Sequence, residues 1–169
     1  FKQSIKNKKS TISVIGLGYI GLPLSLAFIK AGFKVIGIDK DIKKINIINS
    51  NKSYISTISD NQIKISRKRN FFVTNKFSLI SKSNIIIVCV PTPVNKNKKP
   101  IMDHIASVVE KIKKYLVKNQ LFILECTTYP GTSEEYFLPI FKKKKLDIRK
   151  NIFLGYSPER EDPGNLKYS

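Results

Sequence analysis

The run Gly16-Leu17-Gly18-Tyr19-Ile20-Gly21 constrains this chain more than any other feature, because of what flanks it. Before it stand the β-branched residues Thr11, Ile12, Val14 and Ile15, a strand pattern; after it a helical pattern begins. A G-x-G-x-x-G between strand and helix has a physical purpose at each glycine. The first permits a tight turn, the second lets backbone approach a pyrophosphate, and the third lets helix and strand pack closely. The helix N-terminus then faces the phosphate charge. Gly16, Gly18, Tyr19, Ile20 and Gly21 are therefore candidate cofactor-facing residues. A second test also passes. Asp39 ends the run Val35-Ile36-Gly37-Ile38-Asp39, 18 residues after Gly21, where a carboxylate can hold adenosine ribose hydroxyls. An acid there repels a 2′-phosphate, which favours NAD over NADP. Three glycines can also mark a simple turn, and Asp39 can instead cap the next helix.

Short β-rich runs alternate with helical patterns along the chain, as a parallel sheet with crossover helices requires. Strands are expected at 11–16, 34–38, 71–74, 84–90, 120–125 and 152–154, and helices at 20–31, 41–50, 104–118 and 132–143. Ile85-Ile86-Ile87-Val88-Cys89-Val90 is apolar on both faces, the mark of a strand between two helix layers. Residues 51–69 show no clear period and read as a helix or an irregular excursion. The fold class is α/β, a Rossmann-type doubly wound parallel sheet in three layers, with residues 1–169 forming one domain. The uncharged stretch Ser10–Ile29 follows Lys6, Lys8 and Lys9 and matches the about 20 residues of a membrane anchor. Gly16, Gly18, Gly21 and Pro23 in its middle fit strand, loop and helix better, so a cytoplasmic location is expected.

The formal charge of +19 suggests a polyanionic partner. Its make-up points elsewhere: 27 Lys stand against 4 Arg, beside 26 Ile and only 3 Ala. That bias fits an AT-rich coding sequence, and nucleic-acid readers lean on Arg for bidentate contacts. Most of the lysines, 111, 113, 114 and 142–145 included, read as solvated surface. Two cysteines and one histidine leave no disulfide framework and no His/Cys metal cluster.

Several motifs in order resemble the N-terminal NAD-binding domain of the UDP-glucose/GDP-mannose dehydrogenase family. They are the segment from Val14 to Pro23, Gly37-Ile38-Asp39, Val90-Pro91-Thr92-Pro93, Thr127-Thr128-Tyr129-Pro130-Gly131-Thr132, and the segment from Ser157 to Asn165. The last two are most similar to the UDP-N-acetylglucosamine 6-dehydrogenase branch; UDP-glucose dehydrogenases usually have Pro-Glu-Phe-Leu where this chain has Pro158-Glu159-Arg160. The resemblance implies an enzyme that oxidises a sugar C6 alcohol to a carboxylate in two NAD-dependent steps. It implies that Thr127 positions cofactor or an active-site water, and that Glu159 contacts substrate and supports hydrolysis as a general base. Arg160 matches a place for a substrate oxygen or phosphate, and Lys44 a place that often contacts cofactor as Arg. Val90, Pro91 and Thr92 end a buried strand at the ligand edge, a rigid wall for a nicotinamide ribose, or else an ordinary strand-ending turn.

By the same resemblance the reaction passes through a thioester on a cysteine of the C-terminal half, beyond this chain. Cys89 reads as packing and Cys126 stands where the family usually has Ser, so neither is taken as nucleophile. His104 is read as an exposed first-turn residue with no role. The ends, Phe1 and Ser169, look cut, so a fragment is expected, one that pairs as a homodimer through a later helix when complete. The alternatives kept open are a UDP-glucose or UDP-N-acetylmannosamine dehydrogenase, a non-catalytic NAD-binding remnant, and a basic nucleic-acid-binding protein.

Overall fold

The computed structural model describes residues 2–148 and 150–158. The first half runs α1 (Lys2–Lys6), β1 (Thr11–Ile15), α2 (Gly21–Lys30), β2 (Lys34–Ile38), α3 (Ile42–Asn49), α4 (Asp60–Arg69) and β3 (Phe71–Thr74). A 3-10 helix (Phe77–Lys82) and β4 (Ile85–Val88) follow, then α5 (Asp103–Ile112), β5 (Gln120–Glu125), α6 (Thr132–Tyr136), α7 (Leu138–Lys143) and β6 (Ile152–Ser157). The six strands form one sheet in the order β3-β2-β1-β4-β5-β6, every pairing parallel. The order reverses between β1 and β4, which opens a crevice at the carboxyl ends of those two strands.

Alternation along the central strands separates two cores. Ile12 and Val14 of β1, with Ile85 and Ile87 of β4, pack among Leu22, Ile29, Ile45, Ile48 and Ile63 on one face. Ile15, Ile86 and Val88 point the other way, into Ile105, Val109, Ile112, Phe122, Phe137 and Phe141. Successive side chains of a strand face opposite sides, so a run apolar at every position buries both. Phe122 anchors the second core, its ring 4.6 Å from that of Phe137 and 6.0 Å from that of Phe141.

The expected strands are all present, with β4 shorter than 84–90 and β6 longer than 152–154. Two helical expectations need correcting, and the open reading of residues 51–69 resolves in part to a helix. The segment 132–143 is two helices meeting at Phe137, because Pro139 has no N–H to continue the first. The helix expected over 104–118 ends at Ile112; Tyr115 N–H bonds the Ile112 carbonyl in a final turn that carries Leu116 into the core. Residues 60–69 form α4, started by a capping box in which Ser59 and Gln62 satisfy each other's backbone N–H. Among the described residues no helix is long and apolar enough to cross a membrane.

One buried polar side chain of β5 joins the 3-10 helix to the turn after α5. The Gln120 amide donates to the carbonyls of Ile80 (2.8 Å) and Ser83 (2.9 Å), and its oxygen accepts the Val117 N–H (3.0 Å). Gln120 is 1% exposed, so Gln120→Ala strands three backbone groups away from water. The expected loss is about 3 kcal/mol, read as a lower urea midpoint at unchanged slope.

Candidate functional site

The glycine loop is built by close approach. Gly16 sits at φ +92°, and a Cβ there would fall on the Cys89 carbonyl. A Cβ at Gly21 would fall on the Gly16 carbonyl oxygen and lie 3.2 Å from the Cys89 Cβ. Gly18 differs, since a Cβ there meets nothing within 4 Å. Two glycines are thus required by packing, and the third leaves open space at the crevice. Helix α2 begins there with Ile20 at its N-cap, and no side chain caps it. Its first-turn dipole is left to an external acceptor, such as a phosphate.

Asp39 closes the loop from β2. Its carboxylate accepts the Leu17 N–H at 2.8 Å and the Asp41 N–H at 2.9 Å, and Lys44 Nζ stands 4.0 Å from Oδ2. The carboxylate is therefore held in place by backbone donors. Each of its oxygens has a second lone pair for a hydroxyl donor. The next helix is capped by Asp41, which accepts the Lys43 N–H, so Asp39 is not that cap.

A cleft of about 420 Å³ lies along this edge. Of the residues singled out by sequence, Gly16, Gly18, Tyr19, Ile20, Asp39, Lys44, Val90 and Pro91 line it. Gly21 is buried behind the loop. Thr92 and Thr127 are not among the lining residues; the Thr92 hydroxyl donates to the Thr127 carbonyl and ties the loop after β4 to the end of β5. Glu159 and Arg160 lie outside the described residues. Cys89 falls just past β4, buried, and borders the cleft.

Helix α5 adds a face to the cleft, and the reading of His104 changes with it. His104 lines the cleft, together with Ser107 and Lys111 of the same helix. Lys111 is exposed, as expected, and its ammonium also lies 5.0 Å from the centre of the Phe77 ring, which borders the cleft. Positions 104, 107, 108 and 111 share one face of a helix, so their spacing was the available signal. These residues can border the adenosine end of a ligand held by Asp39.

The donor set fits a dinucleotide: a close-packed loop open at Gly18, an uncapped helix start and an anchored carboxylate, all at a switch point. The fold and the site define a dinucleotide-binding domain of the doubly wound class. The family model described as the UDP-glucose/GDP-mannose dehydrogenase family, NAD binding domain, matches residues 10–169. This chain belongs to that family, and NAD is its cofactor.

Among curated relatives, it is 34% identical over 155 residues to Protein CapL of Staphylococcus aureus, covering 91% of this chain and 36% of that protein. It is 33% identical over 162 residues to the UDP-N-acetyl-D-glucosamine 6-dehydrogenase of Pseudomonas aeruginosa, covering 95% and 38%. A solved UDP-D-ManNAc dehydrogenase from Pyrococcus horikoshii superposes with a TM-score of 0.85 at 29% identity, covering 93% of this chain and 38% of that one. The chain thus spans little more than a third of the length of the relatives it matches.

Proposed function

We propose that this chain is the cofactor-binding part of an NAD-dependent nucleotide-sugar 6-dehydrogenase. In this reading the complete enzyme oxidises the C6 alcohol of UDP-N-acetylglucosamine to the uronate, in the cytoplasm, for surface polysaccharide precursors. The observation that carries it is the anchored Asp39 carboxylate beside the glycine loop, in a chain with this family's ordered motifs. Asp39 receives the adenosine ribose hydroxyls, Gly16, Gly18, Tyr19 and Ile20 face the pyrophosphate with Gly21 packed behind them, and Lys44 flanks the ribose. Val90, Pro91 and Thr92 wall the nicotinamide side. Bound there, NAD supplies the hydride acceptor.

Thr127 follows β5 at the same sheet edge, its carbonyl held by the Thr92 hydroxyl. That tether supports a role for Thr127 in positioning cofactor or an active-site water. Glu159, as general base, and Arg160, as a substrate contact, complete the proposed set. The thioester cysteine, the main sugar-binding groups and the helix that pairs a homodimer belong to the remaining length of the relatives.

A second substrate, UDP-N-acetylmannosamine, is favoured by a relative so described from Methanococcus aeolicus, 36% identical over 172 residues. The 169-residue chain is expected to bind NAD in calorimetry and to form no uronate from any UDP-sugar. The polypeptide carrying a C-terminal half is expected to reduce NAD with UDP-N-acetylglucosamine faster than with its mannosamine or glucose counterparts. Uronate made by the short chain, or no NAD reduction by the long one, would overturn the reading.

A further inference from the structure

The segment between α3 and α4 returns to the glycine loop through a single side chain. Tyr54 donates its hydroxyl hydrogen to the carbonyl of Leu17. Its neighbours Ile55 and Ile58 are buried at 3% and 7% exposure, in the core that also contains Leu17. Ser53 secures the approach: its N–H bonds the Asp60 carboxylate at 2.8 Å, and its Oγ accepts the Ile55 N–H at 3.1 Å. Lys44 Nζ lies 5.7 Å from the Tyr54 ring centre and 4.0 Å from Asp39, so the three form one contact group.

The consequence follows from peptide geometry. In a trans peptide the C=O and the following N–H point in opposite directions. The Leu17 N–H points at Asp39, and the Gly16 carbonyl of the same peptide is the atom that a Cβ on Gly21 would strike. The next peptide joins the Leu17 carbonyl to the Gly18 N–H. With that carbonyl drawn to Tyr54, the Gly18 N–H points away from Tyr54. Gly18 is also the loop glycine bordered by open space in the cleft. Asp39 therefore sets one peptide of the turn and Tyr54 sets the other.

We propose that Tyr54 is a positioning residue for pyrophosphate recognition, acting through the Leu17–Gly18 peptide. It need not touch the ligand. Burial, then the Asp39 and Asp41 carboxylates, push its phenol well above the ordinary value, so the hydroxyl stays a donor throughout the neutral range. The inference rests on the dinucleotide reading of the cleft and extends it to a segment outside the glycine motif.

The test is Tyr54→Phe in the 169-residue chain, which keeps the ring and removes one hydrogen bond. NMR titrations with NAD, ADP-ribose and adenosine separate ligands with and without a pyrophosphate. The expected result is affinity for NAD and ADP-ribose lowered about tenfold, with adenosine affinity unchanged and the fold retained. In the unsubstituted chain the Gly18 amide resonance is expected to move with ADP-ribose and to stay in place with adenosine. That second measurement decides the matter if the variant does not fold. Unchanged NAD affinity in the variant, an equal loss for adenosine, or a Gly18 amide indifferent to ADP-ribose would each overturn the role of Tyr54 alone. Failure of the unsubstituted chain to bind NAD would instead overturn the reading of the cleft, and the role of Tyr54 with it.

Discussion

Gly21→Ala is expected to lose both dinucleotide binding and about 3 kcal/mol of stability, whereas Gly18→Ala loses only the binding. The two substitutions add the same methyl group to the same loop, and their surroundings differ. At Gly21 the new Cβ falls on the Gly16 carbonyl oxygen, a backbone atom whose own residue is pressed against the Cys89 carbonyl. Neither neighbour can rotate away, so α2 must move off β1. A loss of that size is a large share of the about 5–15 kcal/mol typical of a domain. At Gly18 the Cβ meets no protein atom within 4 Å and enters the space that a phosphate needs. Thermal melts with calorimetry against NAD check both. A Gly18→Ala variant that binds normally would mean that the pyrophosphate does not lie against this glycine.

Asp39→Ala is expected to weaken NAD binding about a hundredfold and to destabilise the free domain by about 2 kcal/mol. Asp39 is 7% exposed, and its carboxylate serves two backbone donors, Leu17 N–H and Asp41 N–H. Removing it leaves the Leu17 amide, buried in the turn, without its acceptor. It also removes the charged acceptor proposed for ribose hydroxyls, where hydrogen bonds to an ionised group are each worth about 1.5–3 kcal/mol. Calorimetry and a urea titration on one variant give both numbers. A variant that loses stability and keeps NAD affinity would place the ribose elsewhere in the cleft.

How far the sequence was legible differs from element to element. Strands β1 and β4 were plain because β-branched residues fill both of their faces, a pattern that survives any arrangement of neighbours. Strand β6 reads short in the sequence, since it lies at the edge of the described sheet beside β5 and its later residues are half-exposed, which blurs the alternation. Helix α4 buries only Ile63 and Ser66, so its apolar period is nearly silent. Its capping box, Ser59-Asp60-Asn61-Gln62, was the readable mark of its start. Pro139 likewise marks the break between α6 and α7, although the apolar pattern runs across it.

Within the site, Gly16, Gly18 and Asp39 could be read because local chain geometry fixes what a glycine loop and a strand-end acid do. Lys111 and Tyr54 could not. One lysine among 27 has no private signature, and nothing in the neighbourhood of Tyr54 points to a loop 37 residues earlier. Element order, the glycine turn and the acid that closes it were determined by sequence alone, since each depends on residues a few positions apart. The meeting of Asp39 and Tyr54 on the two sides of Leu17, and of His104 and Lys111 with the same cleft, was decided by tertiary structure. Such contacts depend on strand order and on which helices cover which face, and no local period encodes either.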